Sequence, residues 1–319
     1  MKGFATGVAF AGTAALIWGG QFVVGKSALS RVDAYPLTTI RYALAASVLL
    51  LVLVAMEGPR ALRLEGRGLR LFALGSLGFA GFNLLAFTGL DHARPESAAL
   101  IVALAPLLTA LVLWARAGVR PPRVSAIAMA VALVGVALVI SHGDPASIAA
   151  GSVGWGDALV LAGVTCFVFY TLGAASHSDL SPLRYTALTA SLGWLSIAGA
   201  TAVAVAAGLV PLPSLADVGA VTPELLYLAL PGAVVAVVCW NAAVPRIGAQ
   251  NVALIGNLVP VTTFAIQIVR GYRPGPLELV GAALTLGALA ANNVLLRRRA
   301  ARRPAEVERP VERVELEAA

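Results

Sequence analysis

Acidic residues are missing from the interior of every long apolar run in this 319-residue chain. All sixteen Asp and Glu lie between those runs, at their ends, or in the C-terminal tail. A pump that works through a carboxylate at membrane mid-depth is therefore disfavoured. Cysteine and histidine are also scarce. Cys166 and Cys239 lie within apolar stretches, and His92, His142 and His177 fall in loops or at span ends. Neither set has metal-ligand spacing. No Gly-rich phosphate loop occurs, and serines such as Ser27 and Ser47 lack a His and an acid placed to complete a triad. The chain is not expected to be an enzyme or to need a metal or a cofactor.

What is present is mostly hydrocarbon. Hydrophobic residues make up 59% of the chain and charged residues 12%, and the mean hydropathy is +0.86. One or two water-soluble domains cannot bury that much apolar surface, so the chain belongs in lipid. A window of about 19 residues finds ten spans, at 4–27, 34–56, 69–90, 95–115, 122–141, 154–175, 181–207, 223–244, 249–270 and 275–296. Backbone in lipid must pair its own donors and acceptors, so spans of this length are helices. Residues 3–24 resemble a secretory signal, but the nine apolar runs that follow make them the first span.

A pI near 10.0 would suggest nucleic acid in a soluble protein. Here the cations sit in short loops and a terminal run, where they report topology, and no nucleic-acid partner is expected. An inside N-terminus puts Lys2, the Arg60–Arg70 loop, Arg116, Arg120, Arg123, Arg184, Arg246 and the C-terminal arginines on the cytoplasmic side. Lys26, Arg31, Arg94, Arg270 and Arg273 fall outside, with the Lys- and Arg-free loops 142–153 and 208–222. Both termini are then cytoplasmic, in a bacterial inner (plasma) membrane. The tail 300–319 is rich in Arg, Glu and Pro, has no apolar face, and is read as disordered.

The stretch Leu71–Ala128 recurs 154 residues later without a gap. Gly78 aligns with Gly232, Pro106 with Pro260, Arg116 with Arg270 and Pro122 with Pro276. Five spans precede the second copy, so it must cross the membrane in the opposite sense. The expected architecture is an all-α integral membrane protein with ten transmembrane helices as two inverted five-helix repeats, residues 1–150 and 151–299. A self-contained duplicated bundle needs no partner, and a monomer is expected. Small residues such as Gly75, Gly78, Gly81 and Gly281 favour close helix packing.

Several side chains are candidates for a solute site. Arg41 lies about 10 Å into its helix at 1.5 Å per residue. It is either a structural arginine bonded to carbonyls or a group near the path that attracts a carboxylate. Pro106 and Pro260, at equivalent places in spans four and nine, are either packed kinks or hinges. Asn257, one turn before Pro260, is an amide at mid-depth that needs a partner. Trp18 with Phe22, Phe79 with Phe82, and Phe167 with Tyr170 share helix faces. Together with Trp240, such rings would stack apolar or planar solutes, while Gln21, Asn83 and Asn241 orient polar ends. Trp114, Trp155 and Trp194 read as interface anchors.

Trp18-Gly19, Pro36 with Arg41, mid-span Pro106 and Pro260, and the closing run from Gly271 to Asn293 resemble the EamA-type drug/metabolite transporter superfamily. Within it the chain looks most like bacterial amino-acid exporters, aromatic ones in particular. The resemblance implies a pseudo-two-fold ten-helix bundle, a central cavity between the halves and alternating access. One departure is that many relatives carry Gly-Glu after the fourth and ninth spans, where this chain has Ala117-Gly118 and Gly271-Tyr272. The expected function is export of aromatic or hydrophobic amino acids and similar small metabolites. A multidrug or organic-cation exporter is the alternative within transport, and an intramembrane enzyme or sensor the alternative outside it.

Overall fold

A computed structural model describes residues 2–118, 120, 122–141, 144, 154–174, 177, 179–247, 252 and 255–302. His142, the 142–153 loop apart from Asp144, the boundary at 150/151 and the tail from 303 lie outside the described residues.

Among the described residues the fold is entirely helical. The first half comprises α1 (Lys2–Leu29), α2 (Ala34–Glu57), α3 (Gly68–His92), α4 (Pro95–Ala103), α5 (Ala105–Ala117) and α6 (Arg123–Ile140). The second comprises α7 (Trp155–Ala174), α8 (Pro182–Ala206) and a short surface helix α9 (Leu215–Ala220). Next comes α10, which runs through Thr222–Tyr227, Leu228–Val235 and Ala236–Ile247, and then α11 (Leu258–Val269) and α12 (Pro276–Arg302).

Among the described residues, seven helices are long and apolar enough to cross a membrane. An eighth span forms if α4 and α5, bent by 42° at Leu104, count as one. The stretches expected as spans nine and ten carry shorter apolar helices, Leu258–Val269 and Pro276–Asn292. Large apolar side chains such as Leu51, Ile127, Val134 and Val203 point outward, as a lipid-facing surface requires.

Local structure repeats at the same spacing as the sequence. The segment Ser76–Gly81 of α3 is π-helical, and so is Leu228–Val235 of α10, whose last six residues are its counterparts 154 positions on. The helix is interrupted at Leu104 (φ −74, ψ −7) and again at Asn257 (φ −65, ψ −7), one residue before Leu258, the counterpart of Leu104. Pro106 and Pro260 therefore do not kink continuous helices. They occupy the first turns of α5 and α11, where a missing N–H costs nothing.

Packing has the same symmetry. α6 packs on α12 and α2 on α8; α3 packs on α7 as α10 does on α1, and α3 on α8 as α10 does on α2. Exchanging the halves maps each of these contacts onto itself or onto another of them. The α6–α12 seam is tight on both sides: a Cβ on Gly281 would lie 2.6 Å from the carbonyl oxygen of Gly135, and one on Gly135 2.5 Å from that of Gly281. Only hydrogen fits there, so the expectation of close packing at Gly281 holds.

Trp194 was expected to anchor at an interface, but it turns inward. Its indole N–H donates to the Thr39 carbonyl at 3.1 Å and ties α8 to α2. Trp114 and Trp155 are exposed at span ends.

At the end of the bundle where α2 finishes, Arg184 of α8 grips the α2–α3 loop. It donates to the carbonyls of Ala61 (2.8 Å) and Arg63 (2.7 Å) and to Glu65 Oε1 (2.7 Å). Arg67 meets Asp179. The hydrogen bond from Arg184 holds the Glu65 carboxyl below its usual range, and Arg67 does the same for Asp179. A lowered carboxyl pKa contributes stability in full above about pH 4 and loses it as pH falls through the lowered values. Amide exchange in residues 58–67, corrected for intrinsic rates, should therefore accelerate below about pH 4 and, at neutral pH, in Arg184→Gln. Exchange unchanged in both would show that the ion pairs do not hold the loop.

Candidate functional site

The expected site residues gather into two groups where the halves meet. In the first, Trp18 of α1 lies against Trp240 of α10, with ring centroids 5.1 Å apart. Its indole N–H donates to the Gly232 carbonyl at 3.0 Å. Gly232 belongs to the π-helical segment Leu228–Val235 of α10. Gln21, one turn along α1, is buried beside it: a Cβ on Gly232 would come within 2.7 Å of Gln21 Oε1. The Trp240 ring also reaches Gly256, whose added Cβ would meet it at 3.1 Å. This brings the α11 break at Asn257 to the same group. The Asn257 side chain is half-buried and does not cap α11.

The second group surrounds Arg41, which is only 1% exposed. Its guanidinium donates through Nη2 to Asn83 Oδ1 and lies 4.2 Å from the Phe87 ring centroid and 4.8 Å from that of Tyr42. Asn83 in turn donates at 2.9 Å to the Phe79 carbonyl, inside the π-helical segment of α3. Each π segment thus gives a carbonyl to a side-chain donor, Asn83 in one half and Trp18 in the other.

Aromatic rings extend this group across to α7. Phe79 meets Tyr42 at 5.5 Å and Tyr170 at 5.3 Å, and Phe82 meets Phe167 at 5.2 Å. Asn241 joins from α10 by donating to Thr186 Oγ1 at 2.6 Å. Phe22 takes no part in the ring pairs of either group. It is 4% exposed in the apolar core that also holds Leu37, Val259 and Phe87, the ring against Arg41.

Two cavities open at the end of the bundle where α1 finishes. One, of about 260 Å³, is bordered by Ala34, Tyr35, Thr88 and Asp91; the other, of about 410 Å³, by Lys26, Ser27, Gln267 and Arg270. None of the expected site residues lines either one; the aromatic groups pack against one another below them.

The sequence matches the EamA-like transporter family twice, over residues 5–141 and 154–294. The chain belongs to this family. Two proteins of Bacillus subtilis (strain 168) are similar along most of their length. The "Uncharacterized transporter YrdR" is 29% identical over 290 residues, 89% of this chain and 90% of that one. The "Uncharacterized transporter YyaM" is 31% identical over 260 residues, 80% of this chain and 83% of that one. A solved chain titled "Crystal structure of protein" superposes with a TM-score of 0.63 at 23% identity, covering 93% of this chain and 99% of that chain, so the fold is shared.

This EamA-like transporter is a multi-pass membrane protein, and its family transports small molecules of the drug/metabolite type. Some of its polar residues were not legible in advance. Glu96 and Glu278, placed by sequence at span ends, are indeed there but only 1% and 3% exposed. Arg94 links them, 3.2 Å from Glu96 and 2.9 Å from Glu278, while the Tyr272 hydroxyl donates to Glu278 at 2.7 Å. Tyr42, Phe87 and Thr186 were also missed; Phe87 lies one turn beyond Asn83 on the same helix face, which was the available signal.

Removing Asn83 would leave a buried guanidinium without its acceptor, a loss of about 3–5 kcal/mol. Asn83→Leu should therefore unfold earlier in detergent than wild type, and adding Arg41→Leu should recover most of the difference. A coupling below about 0.5 kcal/mol in this double-mutant cycle would show the pair to be energetically idle.

Proposed function

We propose that this protein exports aromatic or hydrophobic amino acids, and metabolites of like shape, by alternating access. Ten spans form two oppositely oriented five-helix halves, 1–150 and 151–299, in a bacterial inner membrane. Both termini and the tail 300–319 are cytoplasmic, and the working unit is a monomer. The matched π segments, the breaks at Leu104 and Asn257 within one residue of the repeat spacing, and the helix contacts that exchange of the halves preserves support this plan.

The observation that carries the substrate reading is the composition of the contact between the halves. Indole and phenol rings alternate there with uncharged amides, Gln21, Asn83 and Asn241, around one buried guanidinium. Rings match an apolar side chain, and amides match the polar end of a zwitterion. Trp18, Phe22, Phe79, Phe82, Tyr170 and Trp240 face the apolar part of the solute in the working cycle. Gln21, Asn83, Asn241 and Asn257 face its polar part, and Arg41 attracts its carboxylate. The halves rock about the breaks ahead of Pro106 and Pro260. The cavities at the end that this orientation places outside, together with the Arg184 network closing the other end, fit an outward-open form.

Vesicles containing the purified protein and loaded with L-phenylalanine, L-leucine or tetraphenylphosphonium test this, with and without a proton gradient. Both amino acids should leave faster than from empty vesicles. Trp18→Ala and Asn257→Ala should each slow efflux about tenfold, equivalent to about 1.4 kcal/mol, while Trp155→Ala leaves it unchanged. Efflux of the organic cation alone would replace this reading with that of a cation exporter.

A further inference from the structure

We propose that the seam between α2 and α3 is a carboxylate-binding channel, with the 260 Å³ cavity as its mouth and Arg41 as its deepest stop. The proposal rests on the amino-acid reading above only for the identity of the solute. It adds a location, a route and three binding groups, two of which had no assigned role.

The route follows from helix geometry. Ala34, Thr38 and Arg41 are spaced i, i+4, i+7 on α2, so they share one face over about 10 Å. On α3, which runs antiparallel, Asn83, Phe87 and Asp91 share the facing stripe, with Thr88 beside it. Ala34, Thr88 and Asp91 border the cavity, and Arg41 meets Asn83 and Phe87 at the other end. The cavity and the guanidinium are thus two ends of one seam.

Along that seam the polar groups are not satisfied. Among the described residues, Arg41 Nε, Thr38 Oγ1 and Thr88 Oγ1 are buried atoms with no hydrogen-bond partner. Arg41 is 1% exposed and Thr38 is 0% exposed. A helical threonine in lipid ordinarily returns its hydroxyl to the carbonyl four residues back, as Thr39 (2.9 Å), Thr109 (2.8 Å) and Thr171 (2.9 Å) do here. Thr38 and Thr88 forgo that bond. A buried donor left unmade costs about 1–3 kcal/mol, more when charged, so three on one seam point to an occupant that accepts them.

The occupant's chemistry is that of a carboxylate. All three groups can donate, Arg41 carries the positive charge, and its Nε edge presents the fork that takes a carboxylate side-on. Phe87 and Tyr42 flank the guanidinium and keep the site narrow and weakly hydrated.

Isothermal titration of the detergent-purified full chain with N-acetyl-L-phenylalaninate and with acetate tests the proposal. L-phenylalaninamide, which lacks the carboxylate, is the control. Both carboxylates should bind wild type and the amide should not. Binding should weaken at least about tenfold in Arg41→Gln and in the near-isosteric Thr38→Val/Thr88→Val pair, which keeps the fold if the arginine variant does not. Carboxylates that bind these variants as tightly as wild type would overturn the channel, as would no carboxylate binding at all, in which case the three donors are simply hydrated. Titration and efflux fail separately: carboxylate binding without amino-acid efflux sinks the export reading and leaves the channel. Efflux with unaltered binding in the variants does the reverse.

Discussion

Inside hydrocarbon a polypeptide has no solvent to complete its hydrogen bonds, so every departure from regular helix must be answered by another group of the same chain. The features that distinguish this bundle follow from that constraint. Where α3 and α10 widen into π-helix, a carbonyl in each segment accepts from a side chain: Phe79 from the Asn83 amide and Gly232 from the Trp18 indole. The widened turns therefore lie beside polar side chains at the contact between the halves. In a medium without water those donors and carbonyls satisfy one another.

Charge is handled differently at depth and at the ends. Arg41 is tolerated within a span because Asn83 accepts from it and two rings flank it. At the ends, full ion pairs form. Arg94 holds Glu96 and Glu278 together at one end, and Arg184 and Arg67 hold Glu65 and Asp179 at the other. The bundle is thus tied by ionic contacts at both rims and by aromatic and amide contacts between them.

Arg41 could be singled out in the sequence because a cation inside an apolar run is energetically anomalous whatever surrounds it. Its partner could not, since Asn83 is an ordinary residue until the α2–α3 pairing is known. The paired prolines marked the right places, yet the breaks fall two and three residues earlier, at Leu104 and Asn257, because proline is most easily accommodated in a first turn. The π segments were illegible: apart from Pro231 in one copy, no residue type signals an extra residue in a turn. Trp194 was misread as an interface anchor although it lies midway along α8 (Pro182–Ala206), at a depth where its indole N–H must find a partner within the bundle. Glu96 and Glu278 were placed correctly along the chain, but the contact that pairs them could not be read there: Arg94, just ahead of Glu96 at the start of α4, reaches across to Glu278 at the start of α12.

The Trp18 indole reaches across to the opposite half to meet Gly232. That bond spans the two halves, so sliding one past the other would break it. In a dry apolar interior the freed indole N–H would find no replacement acceptor, whereas water entering the gap would supply one. A single tryptophan thus makes separation of the halves costlier dry than wetted.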